Sequence, residues 1–488
     1  MTSGAIAPNF FRLAWPLVLG NLLQTAYNLA DVFWVGRVSS EAVAAVSLMF
    51  PLSWLFVSTA IGVTAATIAL VSQHVGAGND RRADEIVAQT TLLATAVSIA
   101  LAVVGFLLRH RLLRWIGADQ DPQVFVDSLA YIEVIFLTLP LTFLFFAFRA
   151  ALQGAGDTRT AMWLVAASAG ANVVIDPFLI LGWGPFPAWG TRGAAWATFV
   201  SRLLAAAIGV YILLRGAWGV QLHPRDLRPD PELLRTLIDV GYPATLDGWA
   251  RSFAAVAMAA LVAFFGPAAT AAYGIGVRMM SVSWAVAGAV GQAAATGVGQ
   301  NLGAGTPDRA ATVTYAATGG TMAFLFAAGG LLWAVPAAAM GVFVSDPDVI
   351  GEGVLFLRIV ALSWGFFGGL MVIQGGFRGA GDTRVAFVLS LLSRWGFRIP
   401  LGVALAFGWA VAVPGTGVTI RALDWGVTGL WWSYAAGAVL SFALGVAWFL
   451  RGTWREGVID REGERDTAVT DVDTGEGGVA PGEESINQ

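Results

Sequence analysis

The chain has 488 residues, of which 57% are hydrophobic and 12% charged, and its mean hydropathy is +0.70. A soluble domain carries about 25% charged residues, so the composition belongs to a protein that lives in a membrane. The net charge of −4 leaves no electrostatic footprint for nucleic acid, and the lack of cysteine excludes disulfides and thiol chemistry.

Apolar stretches of bilayer-spanning length, roughly 20 residues or more, recur twelve times. In chain order they cover about 10–37, 42–72, 85–108, 124–152, 160–183 and 193–215, then 233–265, 270–300, 308–334, 350–377, 384–412 and 427–450. The predicted fold class is therefore an all-α integral membrane protein with twelve transmembrane helices. The segment from Gly216 to Arg235 is the most polar one inside the folded region, with His223, Arg225, Asp226, Arg228 and Asp230. It divides the chain into an N-lobe over 1–215, a linker over 216–235 and a C-lobe over 236–455. The acidic, Gly-rich remainder, 456–488, is too polar to bury a core and is expected to be a disordered cytoplasmic tail.

The two lobes are copies of one module. Gly-Ala-Gly-Asp-Thr-Arg occurs at Gly154 to Arg159 and again at Gly379 to Arg384, an offset of 225. Gln73-His74-Val75-Gly76-Ala77-Gly78 matches Gln300-Asn301-Leu302-Gly303-Ala304-Gly305 at an offset of 227, as does Ala14-Trp15-Pro16 against Gly241-Tyr242-Pro243. Six spans per copy is an even number, so both copies enter the membrane the same way round and form parallel repeats. With the N-terminus inside, the inner loops and flanks hold 14 arginines against 6 outside. Both termini are thus expected in the cytoplasm of a cell-membrane protein. The hexapeptides then lie on the cytoplasmic side. Their glycines and aspartates suit a tight turn and a helix cap. The alternative is a cytoplasmic gate in which Asp157, Arg159, Asp382 and Arg384 pair across the lobes.

Polar residues inside the spans are costly and mark candidate function. In the first span Asn21, Gln24, Asn28 and Asp31 share one helical face. In the fifth span Ser168, Asn172 and Asp176 recur every four residues. Tyr131 and Glu133 lie early in the fourth span, and Thr198, Ser201 and Arg202 in the sixth. Counted from the predicted ends, Asp31, Asp176, Tyr131, Glu133 and Thr198 all fall in the outer half of the N-lobe. Hard oxygen ligands of this kind suit Na⁺, and two carboxylates in low dielectric also share protons. The alternatives are a neutralised structural network or an Asp31–Arg202 pair. The C-lobe does not repeat this chemistry, because Asp31 corresponds to Met258 and Asp176 to Leu401. It holds Asp247 and Arg251 instead, spaced four apart so that they can neutralise each other, and Arg278, Arg358, Arg394 and Arg398 read as buried cations whose expected partners are backbone carbonyls, Asp247 or an anionic lipid. Pro16 permits a hinge in the first helix, or is a tolerated first-turn proline.

These motifs, with Asn-Leu-Ala-Asp at 28–31, Asn-Val-Val-Ile-Asp-Pro at 172–177 and Gly-Ala-Ala-Trp-Ala-Thr at 193–198, make the chain resemble a multidrug and toxic compound extrusion (MATE) transporter, of the DinF-like branch in the MOP flippase superfamily. The resemblance covers about residues 8 to 455. It implies two six-helix lobes in a V around a central cavity, and alternating access driven by H⁺ or Na⁺. It implies a cation-coupling site at Asp31, Asn172, Asp176 and Thr198, where Na⁺ is a possible metal. Gln24, Asn28 and Tyr131 would line the cavity and its polar network, and Pro16 would be the bending position. In the NorM-like branch an acid matters in the seventh span; here that position is Arg251, which favours the DinF-like assignment. The expected function is export of organic cations or amphipathic compounds, without a cofactor, by a monomer contacting membrane lipids and small molecules. A lipid or lipid-linked saccharide flippase is the alternative. An intramembrane enzyme using Asp31 and Asp176 is a remote one, since His74, His110 and His223 all lie near span ends.

Overall fold

The computed structural model describes residues 1–217, 219–408, 410–412, 419–421 and 423–459. The N-lobe is six long helices: α1 (Ile6–Val35), α2 (Ser40–Gly76), α3 (Asp80–Trp115), α4 (Pro122–Ala155), α5 (Thr158–Leu181) and α6 (Thr191–Arg215). The C-lobe opens with α7 (Pro231–Ala263), α8 (Pro267–Gly303) and α9 (Pro307–Ala334), followed by the short α10 (Pro336–Gly341). Its tenth span is α11 (Pro347–Val360) and α12 (Trp364–Gly379), joined by a tight turn at Ala361–Ser363. The eleventh is α13 (Thr383–Leu391) and α14 (Ile399–Ala406), joined by a π-helical turn at Leu392–Arg398, and α15 (Val427–Leu450) is the last. Eleven of these spans are long and apolar enough to cross a membrane. The twelfth, α1, has the length but carries the Asn21, Gln24, Asn28 and Asp31 stripe.

The helix starts follow from capping. Asn79, Asp121, Asp157, Asp230, Asp346 and Asp382 each accept a first-turn backbone N–H, and proline occupies the first turn of α4, α7, α8, α9 and α11. Two expectations shift. The eleventh span ends at Ala406, not 412; Ala410–Ala412 instead pairs antiparallel with Thr419–Arg421 as β1 and β2, a small exception to an all-helical chain. Val and Thr favour extended backbone there, beyond the apolar helix. Residues 457–459, expected in the disordered tail, are packed: Val458 is buried and its N–H donates to Gln73 Oε1 at 2.8 Å. The rest of that tail lies outside the described residues.

The linker is fastened to the N-lobe. Arg81 clamps Asp226 with two bonds of 2.5 and 2.7 Å, and this holds the Asp226 carboxyl below its usual range. Gln89 donates to the Asp226 and Arg228 carbonyls and accepts the Asp230 N–H.

Both described chain ends lie on one face, here called the terminal face. The lobes meet there through α2 against α7 and α8, and α1 against α8. Small residues allow the approach: Gly62 packs on Gly241 and Thr245, and Gly248 on Ser58. Further from that face Leu29 and Phe33 on α1, and Phe253 and Val256 on α7, are exposed.

Candidate functional site

Asp31 on α1 and Asp176 on α5 lie on helices that pack against each other. Asp31 is 9% exposed and Asp176 fully buried, and each has an Oδ1 without a hydrogen-bond partner. They lie in each other's electrostatic field. Asn172 joins Asp176 to α6: with its amide nitrogen facing the carboxylate, it donates to Asp176 Oδ2 at 3.1 Å and its oxygen accepts the Thr198 N–H at 3.2 Å. The Thr198 hydroxyl donates to the Ala194 carbonyl at 3.1 Å, so toward the cluster its oxygen acts as an acceptor. Tyr131 is buried within electrostatic reach of both acids. Among the described residues no three His, Cys, Asp or Glu side chains form a metal cluster, so any cation here would also need the amide and hydroxyl oxygens.

Other expected members stand apart. Gln24 and Asn28 bond to each other at 3.4 Å on the open side of α1. Glu133 pairs with Arg109 at 2.8 Å, away from the acids. Arg202 does not take Asp31: its guanidinium donates to Ser168 Oγ at 3.2 Å and covers the Phe145 ring at 4.3 Å. Pro16 is buried inside α1, which runs unbroken through it.

Two residues escaped the sequence reading. Tyr27 contacts the Thr198 side chain and lies in the field of both acids and Arg202. It sits four residues before Asp31, so the same-face rule contained the signal. Arg149, counted only as a loop-flanking cation, is buried and donates to Asn21 Oδ1 at 2.9 Å. Asn21 in turn donates to the Ala285 carbonyl of α8 at 3.3 Å, which ties α1 to the other lobe.

At the terminal face the duplicated motifs interlock. Gln73 Nε2 donates to the Gly379 carbonyl at 2.9 Å, and Gln300 Nε2 to the Gly154 carbonyl at 3.2 Å. The glutamine of each lobe thus holds the first glycine of the other lobe's hexapeptide. Gly76 and Gly303 face the opposing Gln300 and Gln73 backbone with no room for a Cβ. Within the hexapeptides, Asp157 caps Thr160 N–H at 3.0 Å and Asp382 caps Val385 N–H at 3.3 Å, while Arg384 lies 5.7 Å from the Tyr242 ring centroid. Asp157→Ala should cost about 1 kcal/mol of stability while Asp157→Asn keeps the cap. Thermal unfolding and transport of the two variants check this, because a gating ion pair would be lost in both.

Two lobes of bilayer-spanning helices joined across a pseudo-twofold define a multi-pass membrane protein built from two repeats. The model of the MatE family matches residues 16–178 and 243–404, one stretch per lobe, and the chain belongs to that family of multidrug efflux transporters. The probable multidrug resistance protein YoeA of Bacillus subtilis is 29% identical over 401 residues, covering 80% of this chain and 85% of its own. An FAD transporter of Shewanella oneidensis is 29% identical over 310 residues, covering 64% and 68%. The solved structure of a MOP superfamily transporter from Pyrococcus furiosus shares the fold with a TM-score of 0.82 at 21% identity, covering 91% of this chain and 95% of that one.

Proposed function

We propose that the protein is a secondary antiporter of the cell membrane, with both termini in the cytoplasm. H⁺ or Na⁺ would enter from outside to Asp31, Asn172, Asp176 and Thr198, and its entry would drive release of amphipathic or cationic compounds outward. One observation carries this: two buried carboxylates share one field, each with an unpartnered oxygen, and no arginine pairs with either among the described residues. Such a pair cannot stay doubly ionised cheaply, so it takes up a proton or a cation. The response has a route across the protein. Asp31 shares α1 with Asn21, which reaches Ala285, and with Leu13, Ala14 and Leu17, which pack on Ala289 and Ala293 of α8. Neutralising Asp31 would remove a buried unpaired charge from α1, and bending at Pro16 would carry that change to the lobe contact. The terminal face, closed by the glutamine–glycine contacts, would be the inner gate.

Reconstituted in liposomes, the protein should release a fluorescent organic cation faster under an inward Na⁺ or H⁺ gradient than without one. Identical release under both gradients and none would end the antiporter reading. The relative named for FAD extends the proposed substrates to phosphorylated amphiphiles.

A further inference from the structure

The C-lobe has a charge cluster of opposite sign to that of the N-lobe. Asp247 on α7 is 3% exposed, and its Oδ2 accepts from Arg251 Nη2 at 2.8 Å and from Arg378 Nη2 at 2.9 Å. Arg394, on the π turn after α13, lies in the field of Asp247, Arg251 and Arg398. Arg398 is nine-tenths buried over the Tyr434 ring at 4.0 Å, and its Nε has no partner; nor has the buried Nε of Arg251. Two guanidiniums, Arg251 and Arg378, therefore share the one carboxylate, while Arg394 bonds to Ser390 and lies in its field, so positive charge outweighs negative here among the described residues. Arginine does not shed its proton to relieve such crowding.

Burying like charges in a membrane protein is expensive, and their maintenance calls for a use. The Arg251 and Arg378 side chains are also 35% and 26% exposed. On a spanning helix an open guanidinium must face water, not lipid, so these two look into the cleft between the lobes. Beside them Trp395, on the same π turn, donates its Nε1–H to the Ala250 carbonyl at 3.0 Å and leaves its ring partly exposed. π turns inserted in helices are frequent at functional sites. An organic cation would be repelled here. A phosphate would meet forked donors that match its oxygens, with an aromatic face alongside for an apolar or ring-bearing portion.

We infer that the Arg251, Arg378 and Arg394 cluster of the C-lobe binds the phosphate group of an amphipathic molecule. This rests on the export reading only in making that molecule a transported substrate; the binding itself needs no gradient. The phosphate belongs either to a soluble amphiphile or to a lipid headgroup, and the two share the same chemistry at this site.

The full-length protein in phosphatidylcholine nanodiscs would be titrated with flavin mononucleotide and with riboflavin, which differ by one phosphate, and binding followed by flavin fluorescence. The mononucleotide should bind about tenfold more tightly, the scale of one charge-assisted hydrogen-bonded contact. Inorganic pyrophosphate should displace it. Arg394→Gln, which leaves both Asp247 ion pairs in place, should remove the preference and leave riboflavin binding unchanged; Arg251→Gln should do the same where it folds. Equal affinity for the two flavins, or indifference to pyrophosphate, in the unmodified protein overturns the inference without recourse to any variant. Phosphatidylglycerol nanodiscs separate the sources: loss of mononucleotide binding there assigns the phosphate to lipid, and its persistence assigns it to the soluble ligand, the site being upheld in either case. Because no ion gradient is imposed, failure here leaves the efflux response untouched, and the reverse.

Discussion

Alanine at Gly303 is expected to open the terminal face of the protein. A Cβ at this position would overlap the Gln73 carbonyl oxygen, and what it meets is helix backbone, which cannot swing aside as a side-chain tip does. The two helices α2 and α8 would have to separate. Separation also breaks the Gln73 to Gly379 and Gln300 to Gly154 hydrogen bonds, both buried. Overpacking costs typically about 1–3 kcal/mol, and each 1.4 kcal/mol is about a tenfold change in an equilibrium. The expected result is a shift of tenfold or more away from the arrangement closed at this face. The chain has no cysteine, so Thr296→Cys supplies a single reporter. Thr296 is fully buried in the lobe interface, with its hydroxyl against the Gln153 carbonyl. Its labelling by a membrane-impermeant maleimide should speed up about tenfold when Gly303→Ala is added. An unchanged rate would mean that the glycine contact does not hold this face shut.

A control separates gating from folding. Gly329 also lacks room for a Cβ, but its obstacle is the Ala361 carbonyl in the same lobe. Gly329→Ala should therefore lower the melting temperature of the protein without changing reporter access, whereas Gly303→Ala should change reporter access with a smaller effect on melting. The distinction follows from where each glycine packs.

The twelve spans were legible because apolar length is a strong signal: their predicted ends differ from the helix ends by only a few residues through most of the chain. Asp31, Asn172 and Asp176 were legible because steps of three and four place residues on one face. What periodicity could not supply was partner identity. Tyr27 was counted among apolar residues, although its position four before Asp31 puts it in the cluster. Gln73 and Gln300 were visible in the repeat yet served only as markers of duplication. Their role depends on which lobe each faces, and this arises only when two copies pack about a pseudo-twofold. The π turn at Leu392–Arg398 was hidden for a related reason: an apolar run reads as one helix, and the extra residue per turn leaves no mark in hydropathy. Which of the expected partners Arg394 and Arg398 take, the field of Asp247 for the first and the Tyr434 ring for the second, consequently emerges only when the lobe is assembled.

The second large effect is expected at the N-lobe acids, and its diagnostic value lies in two readouts moving in opposite directions. Asp31→Asn removes one of two carboxylates that share a field, and leaves a neutral side chain of the same shape. An unpaired buried charge is destabilising, so its removal should raise the melting temperature in detergent. Efflux driven by an ion gradient should meanwhile fall by about tenfold or more, and Asp31→Asn combined with Asp176→Asn should leave only the leak of protein-free vesicles. A structural network predicts otherwise. Were Asp176 held as a working hydrogen-bond partner of Asn172 alone, Asp176→Asn would cost stability, because the Asn172 amide would then donate to a neutral oxygen in place of a carboxylate, and coupled efflux would survive in Asp31→Asn. Comparing Asp31→Asn under a Na⁺ gradient and under a pH gradient adds the identity of the ion. The gradient that drives the unmodified protein should be the one to which the variant no longer responds. Retained response to that gradient would remove Asp31 from the coupling site and leave Asp176, with Asn172, as the remaining candidate.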